Sequence, residues 1–332
     1  MNNNDIIISS RVRLARNLSE QPFTTNTNIE KANNVLTSAF NALSEVSNFN
    51  LYKCKNLKSD AMEEMLEDHL ISGELINNSD ISGVAISQDN TVSIMINEED
   101  HLREQCMLDG LNLKRAYDII SDIDMELMTS LNFAYDNQLG FLTACPTNVG
   151  TGLRASVMMF LPGIVLTNNL SDMVSTVSKL GLCVRGAYGE GSSASGYVFQ
   201  ISNQFSLGKT EEEIVQLVES TALKICDLEN KARQLLLERN KDNLADEVLR
   251  SYGILGNCYK ISTSEAMELL SKVKLGCALK LINLKQPEVV DELIKNITPV
   301  KINKLSNKNL TETERDLFRA EYIGRVLKNN RI

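Results

Sequence analysis

IIISSRVRLAR, residues 6–16, begins as a β-branched run and then alternates Arg11, Val12 and Arg13. Successive side chains of a strand point to opposite faces, so an extended chain here carries both guanidinium groups on one face. Working outward, Thr91 to Asn97 (TVSIMIN) predicts a buried strand ending in the charged cluster Glu98, Glu99, Asp100 and His101, with Arg103 just beyond. A strand end fixes the backbone while its side chains face a cleft, which suits reactive groups. Cys145 to Ser156 (CPTNVGTGLRAS) is turn-rich and leads through Arg154 into the apolar run Val157–Leu161. Cys183 to Ser195 (CVRGAYGEGSSAS), holding Arg185, predicts a glycine- and serine-rich loop able to close on a ligand.

Between these segments apolar residues recur at helical spacing. Ala32, Val35, Leu36, Phe40 and Leu43 predict a helix over about residues 29–46, and further helices are expected over 61–70, 112–131 and 170–180. From about residue 240 the pattern is helical throughout. Ser262 with Glu265, and Thr311 with Glu314, have capping-box spacing; the second opens a final helix to about Lys328, and Pro287 stands where another helix could begin. The organisation expected is a catalytic part over residues 1–240 and a helical part over 241–332.

Composition narrows the function classes. The chain has 332 residues, 43% hydrophobic and 23% charged, too apolar for disorder and without an uncharged apolar stretch long enough to span a membrane. Met1 to Asp5 (MNNND) shows no basic segment leading into an apolar run, so no secretory signal and a cytoplasmic location are expected. The seven cysteines are odd in number and never spaced C-x-x-C, which argues against a disulfide framework and a zinc site; they are expected to be reduced and mostly buried. A net charge of -9 and the absence of tryptophan disfavour nucleic acid and anionic membranes as partners.

Arg11, Arg13, Arg103, Arg154 and Arg185 therefore matter by position. Each is expected at a strand end or beside a glycine-bearing turn. One such arginine reads as a surface ion pair of little worth; five together point to an anion. A transferring phosphoryl group spreads negative charge over its oxygens, and arginine supplies planar, permanently protonated forks aimed at it. The chain has neither a Walker A motif nor G-x-G-x-x-G, so arginines would have to hold the phosphates.

SSRVRLAR, INEEDHLR, CPTNVGTGLRAS and VRGAYGEG, in that order, closely resemble the motifs of the phosphagen (guanidino) kinases, and the last two are most similar to the bacterial protein-arginine kinase branch of that family. The resemblance covers nearly the whole chain. It implies an α+β catalytic domain, a mostly antiparallel sheet flanked by helices, followed by an all-helical C-terminal domain. It implies ATP and Mg2+, with the five arginines on the nucleotide phosphates and His69 contacting the nucleotide. The nucleotide-binding residues carried over are Ser9, Ser10, Arg11, Val12, Arg13, His69, Arg103, Arg154, Ala155, Ser156, Val157, Met158, Arg185, Gly186, Ala187, Tyr188, Gly189 and Glu190. Glu99 and Glu190 match the two carboxylates that grip the acceptor guanidinium, with Glu99 as base: a guanidinium is a poor nucleophile while protonated, so a carboxylate must orient it and accept a proton. Glu98 and Asp100 would support them. Cys145 matches the family's reactive cysteine, here polarising the acceptor; a small buried residue is the plain alternative.

The resemblance also bears on whose guanidinium is the acceptor. Free-substrate members carry a helical domain before the first arginine motif, which here begins at Ser9. Tyr188 stands where arginine kinase has a further arginine, and Met158 where it has a nucleotide-stacking histidine. Near the end, Arg315, Asp316, Arg319 and Ala320 form R-D-x-x-R-A, with the two arginines on one helical face. In the protein-arginine kinases that motif is associated with phosphoarginine binding, which implies a feedback or assembly site; a solvated helix face is the alternative. The expected activity is phosphorylation of protein arginines. The resemblance further implies a homodimer or larger assembly, a zinc-binding activator protein, a heat-shock repressor among the substrates, and a Clp-type unfoldase that degrades the marked proteins. Competing readings are a free-guanidino kinase and a catalytically weak phosphoarginine-binding adaptor.

Overall fold

A computed structural model describes residues 5–46, 49–186 and 195–332. In chain order the strands and helices are β1 (Ile7–Arg16), α1 (Ile29–Val46), β2 (Phe49–Lys53), α2 (Ser59–Glu67), α3 (Gly73–Asn77), β3 (Gly83–Ser87), β4 (Val92–Ile96), β5 (Leu102–Asp109), α4 (Leu113–Ser130), the short pair β6 (Tyr135–Asp136) and β7 (Gly140–Phe141), β8 (Leu153–Phe160), α5 (Pro162–Leu166), α6 (Leu170–Lys179), β9 (Leu182–Gly186) and β10 (Val198–Asn203). Helices α7 (Glu211–Asn257), α8 (Thr263–Ala278), α9 (Val289–Asn296), α10 (Pro299–Ser306) and α11 (Glu312–Asn329) complete it.

Eight strands form one sheet in the order β2-β3-β4-β5-β1-β8-β10-β9, antiparallel at every described pairing. The fold is therefore the expected α+β arrangement, a large antiparallel sheet flanked by helices with a helical C-terminal region. β1 lies at its centre, between β5 and β8. Its alternation is what gives the sheet two unlike faces: Val12 and Leu14 enter the main core, which α1, α4 and α7 cover, while Arg11 and Arg13 stand on the other side.

Several expectations are corrected. Arg11 and Arg13 sit inside β1, not at its end, whereas Arg154 is the second residue of β8, just past the turn at Gly152, as expected. Cys183 to Gly186 belongs to β9, paired with β10, and the rest of the predicted loop, residues 187–194, lies outside the described residues. Thr311 and Glu314 cap each other reciprocally, whereas at Ser262 only the serine-to-Glu265 half of the box is made. All seven cysteines are free, but three are buried and four half-buried. The helical run does not begin near 240: α7 starts at Glu211 and departs from helical geometry at Asn240 (φ -145°, ψ 30°).

A second core lies among α7, α8, α9 and α11, and Phe160 from β8 is buried in it. A third, smaller one sits under α2 and α3 and receives Val84, Ile86 and Met95 from the sheet. Among the described residues no helix is long and apolar enough to cross a membrane.

Candidate active site

Strand register brings the arginines together. Arg13 of β1 is directly opposite Arg154 of β8 and Gln105 of β5; Arg11 is opposite Ser156, and Arg103 is opposite Ala15. Across β10, Ser202 pairs with Ser156 and Gln200 with Met158, and Arg185 of β9 pairs with Gln200. Directly opposed residues in an antiparallel sheet share a face. All five arginines thus project from the one sheet face that the main core does not cover.

Among the described residues, the three on β1 and β8 are short of partners. Arg11 donates to Gln200 Oε1 at 2.9 Å, and Arg154 reaches Ser202 Oγ at 3.4 Å. Nε of Arg13 and Nε of Arg154 are buried without a hydrogen-bond partner among the described residues. Burial, then the charges of Arg103 and Arg154, pull Arg11 down to about 10. Burial and the charges of Arg11, Arg103 and Arg154 push Arg13 well below the usual guanidinium value. A cluster of cations that raises its own energy in this way is relieved by an anion of several charges.

The acidic turn lies at the edge of the same face. Glu98 is buried, paired with Arg103, and accepts from Ser72 Oγ at 2.5 Å and from the Glu99 amide at 2.9 Å. Burial drives its carboxyl up, but Arg103, Ser72 and that amide outweigh burial and hold it below the usual range. Asp100 accepts from Asn17 Nδ2 at 2.6 Å and from the Ala144 amide at 2.7 Å, so both acids are occupied. Glu99 between them is exposed, and among the described residues nothing donates to its carboxylate. Desolvation, then Asp100 and Glu98, raise it above the ordinary glutamate value, which suits a proton acceptor.

Asp100 also decides where Cys145 stands, through its bond to Ala144. Asn17 extends the link: its Nδ2 donates to Leu142 O at 3.0 Å and its Oδ1 accepts from the His101 amide at 2.9 Å. His101 accepts at Nδ1 from Leu18 N, which leaves the proton on Nε2 to donate to Pro22 O. Cys145 is half-buried with Sγ 3.1 Å from Thr147 Oγ1.

His69 follows α2 with a left-handed backbone (φ 58°), and its carbonyl accepts from Gln105 Nε2 at 2.8 Å. Its surface is open, yet desolvation and then the Arg11 charge lower its imidazole. Ser9, Ser156 and Met158 share the arginine face. Ser10, Val12, Ala155 and Val157 do not: strand alternation turns their side chains to the opposite side, where Ser10 Oγ donates to Gly110 O at 2.7 Å. Gly186 ends β9. Ala187, Tyr188, Gly189 and Glu190 lie outside the described residues.

Ser72, Gln105, Gln200 and Asn17 join the site without having been singled out. Gln105 was legible as the first same-face residue after Arg103; the others come from elements that only the folded chain brings near. At the far end, Arg319 is buried and donates to Ile297 O at 2.8 Å, Ile261 O at 2.9 Å and Asp316 Oδ1 at 2.6 Å. Arg315 is half-buried and donates to Leu310 O at 2.8 Å, and Ala320 is buried.

Residues 31–232 match the family model described as ATP:guanido phosphotransferase, C-terminal catalytic domain, and residues 241–331 match the one described as protein-arginine kinase McsB C-terminal domain. The protein-arginine kinase of Halothermothrix orenii is 44% identical, over 96% of this chain and 92% of its own length. That of Caldanaerobacter subterraneus subsp. tengcongensis is 41% identical over 97% of each. The crystal structure of lombricine kinase aligns with a TM-score of 0.60 at 27% identity, over 68% of this chain and 67% of that one. The duplicated taurocyamine kinase of Schistosoma mansoni, at 22% identity, shares the fold with a TM-score of 0.61, over 82% of this chain and 46% of that one. An arginine-lined sheet face, a free glutamate at its edge and these matches agree: the chain belongs to the ATP:guanido phosphotransferase family.

Proposed function

We propose that this guanidino phosphotransferase is a protein-arginine kinase, moving the γ-phosphoryl group of ATP to arginine side chains of proteins. The observation that carries the reading is the match to protein-arginine kinases along nearly the whole chain, C-terminal helices included. In the reaction the terminal P–O bond of ATP breaks, an N–P bond forms, ADP leaves, and the guanidinium proton passes to Glu99. Arg11, Arg13, Arg103, Arg154 and Arg185 stabilise the charge on the transferring group. Glu190 is the second carboxylate in this reading and Cys145 polarises the acceptor.

Among the described residues no cluster of three or more histidine, cysteine, aspartate or glutamate side chains is spaced to hold a metal ion. With Glu98 and Asp100 already engaged, the donor set fits Mg2+ carried by nucleotide oxygens and water. Magnesium bound in that way neutralises phosphate charge.

Residues 1–240 form the catalytic part and 241–332 a regulatory part, divided at the break in α7. Arg315, with Asp316, Arg319 and Ala320, is the phosphoarginine site in this reading, and Arg315 is its more accessible arginine. A homo-oligomer, a zinc-binding activator, a heat-shock repressor substrate and a Clp-type unfoldase, which rest on the motif resemblance, complete the proposal, with a cytoplasmic location as the sequence led one to expect.

The test is incubation of the chain with ATP and Mg2+ and either a folded, arginine-bearing protein or free arginine. Acid-labile phosphate on protein arginines is expected. Label on free arginine alone would replace the reading with a free-guanidino kinase.

A further inference from the structure

None of the side chains of α2 is buried, and only Met62 and Met65 pack partly on the small core beneath it. What fastens its outer side is α10, from the other end of the chain. Glu67 accepts from Thr298 Oγ1 at 2.6 Å and from the Val300 amide at 3.2 Å. Lys301 Nζ lies 2.7 Å from Asp68, and Lys304 Nζ 2.6 Å from Glu64. The inner end of α2 runs straight into the site: the His69 carbonyl holds Gln105, and Ser72 holds Glu98, which pairs with Arg103.

We infer that Lys301 and Lys304 are positioning residues for the nucleotide, acting through α2 on His69, Gln105 and Arg103. The C-terminal helices thereby complete the nucleotide half of the site. The inference rests on the assignment of ATP to the arginine face. Part-exposed ion pairs are individually weak. Here, however, both lysines grip one short helix that has little apolar burial of its own, so losing them loosens the whole helix. Cys145 is linked through Asn17, Asp100 and Ala144 instead, so its placement should be spared.

Binding of Mg-ADP to the full chain, followed by calorimetry, tests this. Reversing both charges (K301E with K304E) is expected to weaken binding about fivefold. Adding E64K and D68K restores the pairs with opposite polarity and should recover most of the affinity. The milder K301Q with K304Q pair gives the same reading if the reversed variant folds poorly. Hydrogen exchange over residues 59–71 should rise in the weakened variants and fall in the swapped one. Equal affinity in wild type and reversed variant overturns the inference, as does a swap that recovers nothing. A wild-type chain that binds no Mg-ADP overturns the nucleotide assignment itself.

Discussion

Arg13 shows how the site sets function against stability. Among the described residues its Nε has no hydrogen-bond partner, and the charges of Arg11, Arg103 and Arg154 outweigh that of Glu98, so the folded chain holds a charge it would be rid of. Replacing such a group by an apolar one of similar length is often stabilising. Arg13→Met should raise unfolding stability by about 1 kcal/mol while losing about 3 kcal/mol of transition-state stabilisation; calorimetry and initial rates check the two halves. A less stable variant would mean that the neighbouring charges are compensated in the free chain. Glu99 offers the second test at this scale. Its raised pKa means that the base form appears only as pH rises through a value above the ordinary glutamate range, so kcat/KM should fall on the acid side from there. Glu99→Gln should remove that limb and lower transfer by about a hundredfold or more.

Strands, more than helices, carry what could not be foreseen. Helix α1 was legible to its ends because its stripe faces one core, and the Arg11–Arg13 alternation fixed the active face of β1. Antiparallel pairing of β1 with β8, which places Arg154 opposite Arg13, lies in no local pattern: 141 residues separate the two, and register is set by partners. β9 was hidden by glycine and serine just beyond it. The back of β5 holds a related surprise. Glu104 is wholly buried beside Asp124, which is paired with Arg16 at 2.7 Å, and neither Glu104 oxygen accepts a hydrogen bond. Burial, then the Asp124 charge, raise the Glu104 pKa well above the usual value. A carboxyl whose folded pKa is raised adds stability that is fully present below its unfolded value and is lost as pH climbs through the folded one. Glu104→Gln keeps the shape and can donate to Asp124, so its melting temperature should gain on wild type as pH rises above the ordinary carboxylate range. Parallel melting curves across that range would show that Glu104 ionises in the folded chain as it does in the unfolded one.

At the scale of the whole molecule, the helices beyond Asn240 are joined to the sheet by more than α7. Phe160 leaves the sheet to be buried in the second core, where Ile8, Leu166, Tyr197 and Val198 also pack from the catalytic side. Beside this seam, Glu229 and Arg233 of α7 form a buried pair, and Glu229 accepts the Gly163 and Ile164 amides at 2.8 Å each, fixing the start of α5. Cooperativity follows shared burial, so a break in one helix need not divide the energetics. Hydrogen exchange in increasing urea should therefore show residues 83–160 and 263–327 losing protection at one midpoint. Phe160→Ala, removing about 3–5 kcal/mol of packing, should shift both regions together. Two midpoints, or a shift confined to the helical end, would show that the cores are independent and that only the contacts of α10 with α2 couple them. A single midpoint would mean that anything bound at the C-terminal helices acts on the stability of the arginine face through the seam as well as through α2.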